Sequence, residues 1–222
     1  MTRIQKRILG TLWATTGVGV VAMGVLVWLM RSNQLSAAPM QQLLPDPAQP
    51  TASASGLPVL FTAPDFALQD QNNTTFEHAQ LRGKVWVADF IFTTCKSLCP
   101  LMTQQMSQFQ KMTEGTPIQM VSFSVDPETD TPAVLKAYAR ANGSDESRWH
   151  FLTGTKVQTW QVSKGMKLAV GDDVGGMVMH SSHFLLVDGA GKIRGVYDYK
   201  DVGFLKKLVT DARALQAENP VQ

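Results

Sequence analysis

Cys95 and Cys99 are the only two cysteines of the 222-residue chain, and three residues separate them. They follow a long apolar run and precede Pro100, so we expect them where a buried strand ends and a helix begins. The first N–H groups of a helix lack intrahelical partners and carry partial positive charge, to which Lys96 adds. This environment favours the thiolate, which is the form that binds metals and attacks disulfides. The segment therefore predicts metal ligation or thiol–disulfide exchange, without choosing between them.

Metal ligation and disulfide exchange require different residues in the segment that faces the two cysteines in the fold. Oxidoreductases of the thioredoxin type place two residues between their cysteines and set a cis-proline opposite them. Here the corresponding segment, residues 177–182, has no proline and contains His180, which favours ligation. Two alternatives stay open: His180 is an ordinary loop histidine, or His183 is the ligand. In a regular strand these two histidines point to opposite faces, so at most one should reach the cysteines.

Two thiolates and one imidazole form a soft ligand set, which suits Cu(I), zinc or iron–sulfur clusters. A structural zinc site needs four protein ligands, and iron–sulfur clusters usually need more cysteines than this chain has. Copper accepts three ligands as Cu(I), or as Cu(II) with one added ligand. If His180 joins the two thiolates, the set Cys95, Cys99 and His180 therefore suits copper better than structural zinc or an iron–sulfur cluster.

Composition and charge argue against several other functions. The chain is 44% hydrophobic and 17% charged, which is typical of a globular protein. Its formal net charge is +2, and no basic stripe with interleaved aromatic residues indicates nucleic-acid binding. No motif points to a small-molecule substrate. Two cysteines so close together would close only a short loop, so they cannot serve as a disulfide scaffold.

The N-terminal segment predicts a membrane anchor. Residues 8–30 form an uncharged apolar run of 23 residues, and one membrane span needs about 20. Three basic residues lie within the first seven positions, whereas only Arg31 follows the run before Arg82. The positive-inside rule then places the N-terminus in the cytoplasm and the main domain on the periplasmic side of the inner membrane. The alternative is a cleaved signal peptide with Ser36-Ala37-Ala38 at the cleavage site, but the run is longer than a usual signal core.

The rest of the chain divides into a tether and one domain. Residues 1–31 are the cytoplasmic stub and anchor, residues 32–58 form a tether rich in Pro, Ala and Gln, and residues 59–222 form the domain. Hydrophobic patterns predict strands at 66–68, 75–76, 85–92, 118–125, 149–152, 183–187 and 192–197, and helices at 100–112, 132–141, 156–164 and 202–217. The predicted stripe of the first helix contains Leu101, Met102, Met106, Phe109 and Met112. This order indicates an α/β protein with a thioredoxin-like fold, additional N-terminal strands and one preceding transmembrane helix.

These segments together resemble the Sco/SenC family of copper proteins. The matching segments are residues 90–95, Cys99-Pro100, residues 121–127 with 130–132, residues 152–154, and His180-Ser181 ahead of residues 186–188. They cover most of the domain, from about residue 64 to residue 199, in the family's order. One departure is Lys96, because many members have proline after the first cysteine.

The resemblance implies copper bound by Cys95, Cys99 and His180, because His180, not His183, takes the family's histidine position. It also implies a metallochaperone that delivers copper to the CuA centre of cytochrome c oxidase, rather than an enzyme in the usual sense. Its partner would be the copper-bearing oxidase subunit or another copper carrier. The alternative is a thiol–disulfide reductase in which Cys95 and Cys99 form a redox pair that keeps the partner's cysteines reduced. A third interpretation is a redox sensor with regulatory partners.

Overall fold

The computed structural model describes residues 55–166 and 182–218, all within one compact unit that spans Pro50–Gln222. In these described residues the strands are β1 (Phe61–Thr62), β2 (Ala67–Asp70), β3 (Thr75–Glu77), β4 (Trp86–Ile91), β5 (Gln119–Ser124), β6 (Trp149–Thr153), β7 (His183–Val187) and β8 (Lys192–Asp198). The α-helices of the same two ranges are α1 (Leu98–Met112), α2 (Pro132–Ala141), α3 (Lys156–Gly165) and α4 (Phe204–Glu218), and a 3₁₀ turn spans His78–Leu81. The predicted α/β order is confirmed, with strand and helix limits within a few residues of those expected.

The eight strands form one mixed sheet in the order β1-β8-β7-β4-β5-β6-β2-β3. Strand β4 lies in the middle, parallel to β5 and antiparallel to β7. The additional N-terminal strands lie at both edges, since β1 pairs with β8 whereas β2 pairs with β6 and β3. Because β4 and β5 are parallel, their carboxyl ends meet at one edge of the sheet, and the cysteines directly follow β4.

Strand β4 separates two hydrophobic cores by simple alternation. Val87 and Ile91 point into one core, whereas Trp86 and Phe90 point into the other. We call the first the cysteine-side core, since it contains Cys95, Cys99 and the buried faces of α1 and α4. The second, the opposite core, is rich in aromatic rings. All six residues of β4 are buried, as expected of a central strand covered on both faces.

Helix α2 forms where the sequence predicts it, because its start is encoded locally. Thr131 is the N-cap, its side chain accepts a hydrogen bond from the Val134 backbone N–H, and Pro132 occupies the first helical position. The helix ends at Ala141, and Gly143 follows with a φ of 66°, a left-handed conformation that suits glycine.

The predicted stripe of α1 is partly wrong. Met102, Met106 and Phe109 are buried, but Leu101 and Met112 are 49% and 41% exposed. The buried face is completed instead by Cys99, Thr103 and Gln110. Successive positions rotate by about 100° around a helix, so Leu101 and Met112 lie on the face opposite Met106.

The membrane-related predictions fall outside the described residues. The proposed anchor at residues 8–30 and nearly all of the tether are not described, nor are residues 167–181. In the two ranges that the structure describes, no helix is long and apolar enough to cross a membrane.

Candidate metal centre

The two cysteines lie on either side of the start of helix α1. The helix begins at Leu98, two residues earlier than Pro100, so Cys99 is its second residue and Cys95 lies just before it. Ser97 occupies the N-cap position, but its side chain makes no capping hydrogen bond. The Cys99 backbone N–H instead donates to the Cys95 sulfur, with an N···S distance of 3.4 Å. The Cys95 sulfur thus satisfies one of the unpaired donors at the helix N-terminus, as a capping oxygen would.

The surroundings of the two thiols separate their acidities. Burial opposes ionisation of Cys95, but hydrogen bonds from the backbone N–H groups of Cys99 and Ser97 outweigh it and lower its pKa to about 7. Burial dominates at Cys99 and raises its pKa to about 12, and the neighbouring Cys95 and Asp89 add to the increase. Both cysteines are free thiols. At neutral pH, Cys95 therefore supplies the ready thiolate, and Cys99 holds its proton until a metal or a disulfide engages it.

A buried aspartate holds the turn that leads to Cys95. Asp130 has no exposed surface, and its carboxylate accepts hydrogen bonds from the Thr93 backbone N–H at 3.2 Å and the Thr93 hydroxyl at 2.5 Å. It also accepts one from the Ser124 hydroxyl at 2.6 Å. Thr93 follows β4, and Ser124 ends β5. The carboxylate thus connects the ends of two neighbouring strands two residues before the first cysteine.

A second buried aspartate lies within the cysteine-side core. Asp89 occupies the middle of β4, and the alternation of the strand puts it on the same side as Val87 and Ile91. Neither of its carboxyl oxygens has a hydrogen-bond partner among the described residues. Burial raises the pKa of Asp89 to about 7, although the Ser122 hydroxyl acts in the other direction. Its negative charge, when present, raises the pKa of Cys99.

The predicted third ligand, His180, lies outside the described residues, so its place in the site stays a prediction. The competitor His183 begins β7, and alternation with Leu185 and Val187 puts it on the side of the opposite core. Its Nε2 atom lies 3.7 Å from the Asp198 carboxylate. In this position the His183 side chain lies on the side of the sheet away from the cysteine-side core.

The other two histidines take part in structural contacts. The Nδ1 atom of His78 lies 3.0 Å from the Asp65 carboxylate, and the ring of His150 packs against Phe76 at 4.4 Å. Across residues 55–166 and 182–218, no three His, Cys, Asp or Glu side chains form a cluster that could hold a metal. The described residues therefore provide two of the three predicted ligands, Cys95 and Cys99.

Sequence reasoning missed the parts played by Asp130 and Asp89. From the sequence, Asp130 is recognisable only within the segment that resembles the family, and its main partner Thr93 lies 37 positions away. Asp89 did give a signal, because it is the single charged residue in an otherwise apolar strand. A charge in such a strand indicates a buried polar group with a specific environment. From the sequence we also expect Lys96 to favour the Cys95 thiolate. Lys96 is exposed, however, and the groups that lower the Cys95 pKa are backbone N–H groups.

Comparison with known proteins gives consistent matches. The profile of the family described as SCO1/SenC matches residues 58–211. The SCO1 protein homolog of Bacillus subtilis is 34% identical over 150 residues, which cover 65% of this chain and 77% of that protein. A SCO2-like protein of Rickettsia typhi is 31% identical over 57% of this chain, and the match spans just under two thirds (65%) of that protein's length.

Solved structures agree with these matches. A SCO1/SenC family lipoprotein from Bacillus anthracis is 33% identical with a TM-score of 0.64, covering 76% of this chain and 98% of that one. BsSco, a Sco-family cytochrome c oxidase assembly protein in which a disulfide switch was identified, is 31% identical with a TM-score of 0.63, covering 76% and 96%. Copper-bound yeast Sco1 is 25% identical with a TM-score of 0.56, covering 69% and 90%. The family profile matches more than half of the chain, and so this protein belongs to the SCO1/SenC family.

Proposed function

We propose that this protein binds one copper ion through the Cys95 and Cys99 sulfurs and the His180 imidazole. The observation that carries the proposal is the pair of free thiols at the start of α1, one of them with its pKa lowered to about 7. Soft thiolates suit copper, and copper-bound yeast Sco1 shares the fold. His180 is chosen over His183 because His183 lies on the side of the opposite core.

We propose further that copper is a cargo, delivered to the CuA centre of cytochrome c oxidase. Family membership supports this role, since the similar protein BsSco is a cytochrome c oxidase assembly protein. A chaperone must release its metal, and Cys95, at 8% exposed against 1% for Cys99, is the thiol nearer to the surface. The partner would be the copper-bearing oxidase subunit or another copper carrier.

The proposed location is the inner membrane, with residues 8–30 as an uncleaved anchor and the domain on the periplasmic side. A tether at residues 32–58 would keep the site close to a membrane-bound oxidase and raise its effective concentration there. Cell fractionation with a C-terminal tag tests this arrangement. We expect full-length protein in the membrane fraction with the domain open to external protease. A soluble exported product that begins near Pro39 would contradict the anchor, but not the copper site.

The second candidate function is reduction of a partner's disulfide, and the different acidities of the two thiols favour it. The Cys95 thiolate would attack the partner disulfide, form a mixed disulfide and release one partner thiolate. Cys99 would then lose its proton and displace the second partner thiolate, leaving a Cys95–Cys99 disulfide and a reduced partner. A low pKa suits the attacking thiol, and a buried thiol of high pKa suits the resolving one.

Copper titration of the reduced full-length protein in detergent micelles tests the main proposal. We expect one copper per chain, and loss of tight binding in Cys95→Ser and Cys99→Ser, because either change removes a thiolate. His180→Ala should change the spectrum of the copper-bound protein, whereas His183→Ala serves as the matched control and should not. Stoichiometric copper in the double serine variant would place the site elsewhere, and a changed spectrum only in His183→Ala would reverse the choice of histidine.

A single-turnover assay separates the two functions. Reduced, copper-free protein is mixed with an oxidised peptide that contains the two cysteines of a CuA loop, and peptide thiols are counted. If reduction is the main role, the wild-type protein reduces the peptide in one turnover, whereas the reaction of the Cys99→Ser variant stops at a mixed disulfide between Cys95 and the peptide. If delivery is the main role, copper moves from loaded protein to the reduced peptide faster than the copper-free protein reduces the oxidised one.

A further inference from the structure

We infer that Asp130 is a positioning residue for Cys95, acting through Thr93. The carboxylate holds the turn between β4 and α1, and that turn sets the Cys95 sulfur against the first N–H groups of the helix. Asp130 itself does not touch the sulfur in any contact that the structure describes. Its effect on the thiol therefore has to pass through the backbone of the turn.

The carboxylate is well placed to fix this turn because it is itself fixed. Its two oxygens lie 3.2 Å from the Thr93 nitrogen, and one also accepts the Thr93 hydroxyl. The Asp130 backbone N–H donates to the Asp126 carbonyl at 2.9 Å, and the next residue, Thr131, caps α2. Buried hydrogen bonds to a charged acceptor are among the stronger polar contacts in proteins. Thr93 is thus attached to a rigid part of the fold.

The contact between the Cys95 sulfur and the Cys99 N–H joins the turn after β4 to helix α1, and these two parts of the chain are held in place by different interactions. Helix α1 is held by the burial of Met102, Met106 and Phe109 in the cysteine-side core. The turn is held by the Cys95 N–H, which donates to the Phe92 carbonyl at 3.2 Å, and by the Asp130–Thr93 contact. If that contact is lost, the turn can shift relative to the helix, and the 3.4 Å contact at the sulfur weakens.

A shift of the turn would be detected as a change in Cys95 reactivity. The Cys99 N–H stabilises the Cys95 thiolate only while the sulfur stays beside it, at the N···S distance of 3.4 Å. The inference rests on the proposed function only because it treats Cys95 as the working sulfur of the site. Thiol reactivity needs no copper, so it is measured independently of metal binding.

The test is alkylation of reduced full-length protein in detergent micelles by iodoacetamide between pH 5 and 9, with the modified cysteine identified by mass spectrometry. In Asp130→Asn, one acceptor oxygen becomes a donor that faces the Thr93 donors. If the turn shifts and the Cys95 sulfur loses its 3.4 Å contact with the Cys99 N–H, alkylation at pH 7 slows severalfold and the profile moves to higher pH.

Three further variants separate positioning from simple destabilisation. Thr93→Val removes the hydroxyl and keeps the N–H, so it should shift the alkylation profile in the same direction by a smaller amount. Thr93→Ser keeps both donors, so it should show the wild-type profile. Asp70→Asn is the matched control. Asp70 is also buried and accepts the backbone N–H groups of Asn72 and Thr74, but at the β2–β3 turn, far along the sheet. The Asp70→Asn variant should therefore leave the pH profile of Cys95 alkylation unchanged.

Two results would overturn the inference: a wild-type profile in folded Asp130→Asn, or an equal shift in Asp70→Asn. If Asp130→Asn does not fold, Thr93→Val decides the question, and a wild-type profile there rejects the inference. Failure of the wild-type protein to bind copper would reject the proposed function while leaving this reactivity result valid. The two ideas can therefore fail separately.

Discussion

Asp130 and Asp89 are both fully buried and both lie close to the cysteine segment, but their surroundings differ. The carboxylate of Asp130 accepts hydrogen bonds from Thr93 and Ser124. The carboxyl group of Asp89 has no hydrogen-bond partner among the described residues, and its pKa is raised to about 7. Two equally buried aspartates therefore differ in role: Asp130 accepts hydrogen bonds that hold a turn, whereas Asp89 is an acid with its pKa raised to about 7.

The difference follows from where each residue lies relative to the strands. Asp130 lies at the carboxyl edge of the sheet, where β4 and β5 end and the Thr93 N–H is free from the strand ladder. Asp89 lies in the middle of β4 in register with Ser122 of β5, where backbone groups already pair between strands. The edge supplies three well-placed hydrogen-bond donors for the Asp130 carboxylate, whereas in the middle the Ser122 hydroxyl only partly offsets the effect of burial on the Asp89 pKa. This contrast leads to three measurements, of which the first has the largest expected effect.

Asp130→Ala should be the most damaging change. It leaves the Thr93 N–H and the Ser124 hydroxyl without their buried acceptor, and each buried donor left unsatisfied costs about 1–3 kcal/mol of the free energy of unfolding. Urea denaturation of the full-length protein in detergent at pH 7 measures the loss. Asp70→Ala, which removes a buried acceptor from a turn, should cost about 1–2 kcal/mol. Equal losses at the two sites would contradict the contrast, because they would show that Asp130 is only an ordinary turn acceptor.

Asp89→Asn should change the pH dependence of stability. The folded pKa of about 7 exceeds the unfolded value of 3.8, so the folded state binds the proton more tightly and unfolding releases it between these values. Wild-type stability therefore falls as the pH rises through this window, because a charge must be buried. At 1.36 kcal/mol per pKa unit, the part of this loss between pH 5 and pH 8 is about 2–3 kcal/mol.

The measurement is the difference in unfolding free energy between Asp89→Asn and wild type at pH 5, 6, 7 and 8. The variant cannot ionise at this position, so its relative stability should increase steadily over that range. A difference that does not vary with pH would show that Asp89 has an ordinary pKa and finds a partner.

Local signals were sufficient to predict most of the fold from sequence. The start of α2 is encoded by Thr131 and Pro132 within two neighbouring positions, and β4 by a continuous apolar run. The wrong assignments on α1 came from counting apolar residues without their angular positions, so that Leu101 and Met112 were placed with Met106. The edge positions of β1 and of β2 with β3 depend on pairing between distant segments, which periodicity does not encode.

The candidate site was predictable to the extent that its chemistry is local. Cys95 and Cys99 are recognisable from their spacing and from Pro100, which together mark a helix start. The Asp130–Thr93 contact joins residues 37 positions apart, and no local sequence pattern predicts it. The capping of the helix by the Cys95 sulfur also depends on side-chain geometry that spacing alone does not give. His180 remains a prediction from sequence and resemblance.

The smallest expected effect concerns the influence of Asp89 on Cys99. The two groups interact through charge, so an ionised Asp89 raises the pKa of Cys99 and slows its reaction. In a Cys95→Ser background only Cys99 can react, and its rate with a small aromatic disulfide is compared with and without Asp89→Asn. The ratio should be near one at pH 5.5, where Asp89 is protonated, and should rise to roughly threefold at pH 9, where removing its charge favours the thiolate. A constant ratio would mean that Asp89 affects Cys99 only through packing, and Asp70→Asn in the same background controls for a general loosening of the core.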